Sequence, residues 1–147
     1  MIRARLGAAT AVLLLPPLLA GCGGGQSYCD AVKAHQSELG TIVSEGGPTA
    51  LISALPAFED LAAKAPSDVT ADWKLLVARV TDLQTALDAA GVDPASYDPQ
   101  HPPAGLSAED RAVIRRAAAR LAASDTQQAL TNVQQEVLDV CHTPVEM

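Results

Sequence analysis

The sequence predicts an all-α protein: an antiparallel helical bundle of four to five helices, stapled by one disulfide and preceded by a leader. Three observations carry that expectation. Apolar residues recur at steps of three and four along most of the chain, without alternating β-branched runs. Hydrophobic residues make up 48% of the chain but aromatics only 3%, so the core is built from Ala, Leu and Val, which suit close helix packing. Cys29 and Cys141 stand at the two ends of the helical region, where a bridge would tie its first element to its last.

Each element has its own signals. Ser27 is a plausible N-cap with Asp30 three residues on, and Cys29, Val32, Leu39 and Val43 follow at helical spacing, with Ile42 beside them and Gln36 interrupting. This predicts a first helix over about 28–44, stopped by Gly46-Gly47. Pro48 fits the first turn of a second helix, with Leu51, Leu55, Phe58 and Ala62 on its apolar face. Pro56 should kink or split that helix and Pro66 should close it, leaving Ser67 or Asp68 to cap the next. The third helix is the clearest. Val69, Trp73, Leu76, Val80, Leu83 and Leu87 form an unbroken seam that Gly91 ends, which makes this element the central strut and Trp73 a core residue.

Residues 92–106 form the one long loop. Pro94, Pro99, Pro102 and Pro103 oppose helix and favour extended chain. Tyr97 and His101, with Asp98, are its side chains suited to a partner contact. Ser107 and Asp110 then cap a fourth helix that turns Ile114, Ala117, Ala118 and Leu121 inward. Ser124-Asp125-Thr126-Gln127 reads as a second capping box and so as a break. A fifth helix carries Leu130, Val133, Val137 and Cys141 and ends before Pro144.

A disulfide requires both cysteines at one end of the bundle, whereas five antiparallel passes would separate them. Two solutions are open. Loop 92–106, about 15 residues at ~3.1 Å each, is long enough to run beside the third helix and cross the bundle, which is the path favoured here. Alternatively the fourth and fifth helices make one kinked pass.

Ahead of the bundle, Arg3 and Arg5 form a positive n-region and Leu6–Leu19 an uncharged apolar run, too short to span a bilayer. The run ends in Leu19-Ala20-Gly21-Cys22, which resembles the bacterial lipobox. Small residues at 20 and 21 admit a peptidase to the backbone, and the Cys22 thiolate is the nucleophile that takes a diacylglyceryl group. The expected organisation is a removed signal peptide at 1–21, lipidated Cys22 with a flexible glycine tether over 22–27, and one helical domain over 28–147. Lipidation uses one of the three cysteines. Cys29 and Cys141 are then read as a disulfide in an oxidising compartment, closing about 112 residues, with unpaired thiols or a metal pair as alternatives.

Charge and motifs exclude more than they assign. The chain carries −7, and without Arg3 and Arg5 it has 17 acidic against 8 basic residues, or −9. Nucleic acid is therefore not an expected partner. His35, His101 and His142 fall short of a metal set, so no metal or cofactor is expected. Arg111, Arg115, Arg116 and Arg120 read as a solvated face with local ion pairs. The chain lacks Gly-x-Ser-x-Gly, His-Glu-x-x-His, Cys-x-x-Cys and phosphate-loop motifs, and no catalytic residues are assigned.

The lipobox, Cys29-Asp30, Ala65-Pro66-Ser67-Asp68 leading to Asp72-Trp73, Ala90-Gly91-Val92-Asp93-Pro94 and Val140-Cys141 together resemble small helical lipoproteins exported by high-GC Gram-positive bacteria. The resemblance implies a lipid-anchored place on the outer face of the cell membrane and a helical fold. It lends no activity, substrate or cofactor. The leading expectation is a non-enzymatic interaction or accessory module with an envelope protein partner, bound to the membrane through Cys22. The alternative is an extracytoplasmic binding protein for a small apolar ligand held between Ala-, Leu- and Val-rich helices.

Overall fold

A computed structural model describes residues 23–46 and 50–145. Residues 1–22, 47–49 and 146–147 lie outside the described residues, and with them the expected signal peptide, Cys22, and the Gly47 and Pro48 helix boundaries. Within them the protein is all helical, with six α-helices, one 3₁₀ turn and no strand. The helices are α1 (Gly23–Glu45), α2 (Ala50–Ser53), α3 (Leu55–Lys64), α4 (Thr70–Ala89), α5 (Ala108–Leu121) and α6 (Ser124–Cys141), with the 3₁₀ turn at Pro94–Ser96.

The count exceeds the expected four to five because the second predicted helix is split at Pro56, as its proline allowed, and the expected break between the fourth and fifth helices is present. Pro56 enters the first turn of α3, where its missing N–H costs nothing, and the chain breaks just ahead of it at Ala54. The other break lies at Ala122–Ala123. There Ala123 is extended, and the Thr126 hydroxyl donates to the Arg120 carbonyl at 2.9 Å.

Contacts between elements fix the direction of each pass. His35 on α1 reaches Asp60 on α3, so α1 and α2–α3 run antiparallel on either side of the 46–50 connection. Arg120 at the end of α5 reaches Asp82, Asp125 at the start of α6 reaches Arg79, and Asn132 further along reaches Asp72. As the chain advances along α5 and α6 its partners on α4 recede, so both run antiparallel to α4 and make one kinked pass. This settles the parity problem against the favoured path. Loop 92–106 does not cross the bundle. Ala90–Asp93 and Pro103–Leu106 line one shared depression, so its two ends lie together. Buried Leu106 is held there by apolar packing, at 6% exposure.

The seam on α4 forms as expected. Trp73, Leu76, Val80, Leu83 and Leu87 are buried, and α4 packs against α2, α3, α5, α6 and the 3₁₀ turn. Its C-terminus closes on Gly91 at φ +67°, with Val92 N–H donating to the Leu87 carbonyl and Gly91 N–H to Asp88. Other boundaries differ from expectation. Helix α1 begins at Gly23, so Ser27 lies inside it and the glycine segment is helical rather than extended. Propagation from a nucleated helix adds one hydrogen bond per residue fixed, which offsets part of the about 1 kcal/mol that each glycine costs. In the last turn of α1 the half-buried residue is Ile42, while Val43 is 42% exposed, because the stripe continues 28, 32, 39, 42. On α3, Leu61 is fully buried and Ala62 only partly, since the break at Ala54 resets the face. Ala118 on α5 is exposed.

Neither Ser67 nor Asp68 caps α4. Both lie in the preceding turn, closed by Val69 N–H to the Pro66 carbonyl, and the Thr70 hydroxyl donates to Pro66 at 2.7 Å. Helices α3, α4 and α6 lack a side-chain cap. A cap contributes about 1 kcal/mol, whereas burying one Leu or Val contributes about 2 kcal/mol. With Trp73, Val80 and Leu87 all under 3% exposed, packing decides where α4 lies.

Candidate functional site

The chain presents two distinct ends. At the near end α1 begins and α6 finishes. Cys29 and Cys141 are bonded there, with Cα atoms 5.2 Å apart, so the bridge expected from the sequence is present. Above it lies an open depression of about 270 Å³, lined by Gly25, Gln26, Cys29, Lys33, Val140, Cys141 and His142. His142 adopts the left-handed conformation at φ 52° and ends α6, turning the chain back along α1. Gln36, the residue that interrupts the first apolar stripe, donates from its amide to the Pro144 carbonyl at 3.2 Å. Val145 is buried against the core.

Beneath this end Trp73 Nε1 donates to the Tyr28 hydroxyl at 2.8 Å, and both residues are fully buried. Phe58 packs on Trp73 with ring centroids 5.8 Å apart. Burial pushes the Tyr28 phenol above its ordinary value. The bond from Trp73 opposes this, and the Glu136 and Asp68 carboxylates add to it. Glu136 is itself raised, first by burial and then by Asp68 and Asp139. Tyr28 is the residue that sequence reasoning missed. Its position four residues before Val32 places it on the same stripe, a signal hidden by treating residue 28 as the helix start.

On the flank, His35 joins two helices. Its Nδ1 meets Glu38 at 3.2 Å and its Nε2 meets Asp60 at 3.1 Å, while Lys64 also binds Asp60. Hydrogen bonds from Lys64 and then His35 hold the Asp60 carboxyl below the usual range.

At the far end, loop 92–106 is organised by short-range bonds. Asp93 accepts from Ala95 N–H at 2.9 Å. Asp98 accepts from Gln100 N–H and meets His101 Nδ1, both at 2.8 Å. The bond with His101 is the main cause of the lowered Asp98 carboxyl, followed by that from Gln100 N–H. Of the two loop residues suited to a partner contact, His101 is exposed, with 86% of its side chain accessible, whereas Tyr97 is half-buried against the core. Ser107 caps α5 as expected, accepting from Asp110 N–H at 3.0 Å.

Chemically, these arrangements bind and brace. The three histidines lie in three places: on the α1–α3 flank, in the far loop and after α6. Among the described residues no three His, Cys, Asp or Glu side chains group as a metal ion would need. No helix among them is long and apolar enough to cross a membrane. Between α2, α3, α4 and the α5–α6 break lies an apolar cavity of about 70 Å³, lined by residues including Leu51, Phe58, Val80 and Leu130. Comparisons of the chain with protein-family models, with curated proteins and with solved structures find no match.

Proposed function

We propose that this protein is an extracytoplasmic lipoprotein, held to the outer face of the cell membrane by a diacylglyceryl group on Cys22, and that it acts as a non-enzymatic interaction module. The observation that carries this reading is Leu19-Ala20-Gly21-Cys22 at the end of a short apolar run behind Arg3 and Arg5. The Cys29–Cys141 bridge supports it, because structural disulfides persist in oxidising compartments outside the cytoplasm. Two acyl chains supply the stable attachment that one does not.

The apolar-ligand alternative has less behind it. A cavity of about 70 Å³ falls well short of the roughly 300 Å³ and more that small-molecule sites occupy.

The test is expression of the full chain and of Cys22→Ala in a bacterium that processes lipoproteins, with a labelled fatty acid in the medium. The wild type should take up label and sediment with membranes. The variant should take up none and be released. Full membrane retention of the unlabelled variant would overturn the anchor.

A further inference from the structure

Four of the eight basic residues outside the leader fall within ten positions on α5, and all four are exposed. Arg120 pairs with Asp82 at 3.3 Å. Arg111, Arg115 and Arg116 have no ion pair among the described residues. At about 100° per residue, Arg111 and Arg115 form one rim and Arg116 and Arg120 a second. Between the rims lies a strip carrying exposed Ala108 and Ala119 and half-buried Ala112. Buried Ile114 and Ala117 face the opposite way, toward α4. The result is a shallow track, about 14 Å long from Arg111 to Arg120 at ~1.5 Å per residue, with guanidinium groups on both sides. Acidic groups bear on the second rim alone: Asp82 pairs with Arg120, and Glu109 lies on the same side of the helix two turns before Arg116, while Asp110 is turned to the Ser107 cap.

We propose that this face of α5 is a docking track for a linear polyanion whose repeating charge is phosphate. A folded protein partner is a poorer fit, because protein interfaces need an apolar centre, and this strip offers only alanine between its charges. The guanidinium fork binds phosphate oxygens in pairs and keeps its charge at all working pH values. A phosphodiester carries its charge in the chain itself, so one strand along the track meets both rims. Carboxylates hang on side branches and meet one rim at a time. The acidic remainder of the domain does not cancel the track, because exposed charges more than about 8 Å away are screened at physiological salt. The proposal deepens the interaction-module reading by naming the chemistry of one partner, and its test is independent of the anchor.

The experiment measures binding of the full chain, in neutral detergent, to inorganic polyphosphate across a salt series. Binding should weaken with a log–log salt slope of about 3 to 4, and each arginine removed should lower it by about one. Arg111→Gln with Arg115→Gln, and separately Arg116→Gln with Arg120→Gln, should each reduce affinity at least tenfold, with helicity unchanged by circular dichroism. Lys33→Gln with Lys74→Gln, two exposed cations off the track, should leave affinity within twofold. Absence of polyphosphate binding, or equal losses in the lysine variant, would overturn the proposal. Equal binding of poly-glutamate would overturn its phosphate specificity, and binding to phosphatidylglycerol vesicles without polyphosphate binding would replace the track with a membrane contact. Failure here leaves lipidation of Cys22 untouched, and failure of lipidation leaves the track untouched.

Discussion

At the near end of the bundle, Cys29 and Cys141 are joined across 112 residues, and Tyr28 meets Trp73 across 45 residues under full burial. At the far end, Asp93, Asp98 and Ser107 bond to groups two or three residues away, all of them exposed. Long-range buried contacts couple elements to one another, so the near end opens only with the whole domain. Short-range exposed contacts order a segment without tying it to the rest, so the 98–105 stretch can open alone at small cost while Tyr97 and Leu106 stay packed on the core. The difference teaches that this domain is stapled where its first and last helices meet and loose where α4 hands over to α5.

Four measurements break or sharpen that contrast, taken from the largest effect down. Replacing both cysteines with alanine, or reducing the bridge, should cost about 4 kcal/mol by the loop-entropy model for a closure of this size. Denaturant unfolding with and without reductant reads it, and equal midpoints would show that the near end is held by packing alone. Tyr28→Phe leaves the buried Trp73 N–H without an acceptor. It should cost about 2 kcal/mol, seen as a shift in urea midpoint at constant slope. Gly91→Ala has no neighbour to strike, since nothing lies within 4 Å of the added methyl. It must still hold φ +67°, so the cost is about 1 kcal/mol, and hydrogen exchange should quicken around the α4 C-terminus rather than across the domain.

The smallest effect is electrostatic. Glu136 has its carboxyl raised by burial, Asp68 and Asp139, so its ionisation opposes folding. Its contribution is present below the unfolded value and is lost as pH rises through the raised folded value. Glu136→Gln should therefore stabilise the domain at neutral pH by less than about 1 kcal/mol and change nothing below about pH 4, in thermal melts across that range. Asp60, Asp98 and Asp125 run the other way. Their carboxyls are lowered by partners, so what they contribute is held above the unfolded value and lost as pH falls through the folded one.

What the sequence made legible follows the same division. The α4 seam, the Gly91 stop and the Ser107 cap were all readable, because each depends on residues within a turn or two. The Cys29–Cys141 bridge was readable from compartment chemistry. Caps at Ser67, Asp68 and Ser124 were misread because local capping competes with packing worth more. Thr126 buries its hydroxyl against Arg120 and leaves Ser124 inside the helix. The path of loop 92–106 was not readable at all. It is decided by Leu106 finding the end of α4, and no property of the loop's prolines encodes that meeting. The arginines of α5 were read together as a solvated face with local ion pairs, flanking the side opposite Ile114 and Ala117. Of the four, Arg120 alone forms an ion pair among the described residues, and that pairing with Asp82 on α4 was not legible in the sequence.

The start of α1 at Gly23 has one further consequence. A slack tether from Cys22 to Cys29 would act as a rope, limiting distance to roughly 23 Å at ~3.3 Å per residue and leaving the domain to spin. A helical stem of seven residues spans about 10 Å and acts as an axle instead, passing torque as well as tension. The bundle then keeps a set bearing relative to Gly23, and inserting one residue in the glycine run would swing that start by about 100° about the α1 axis.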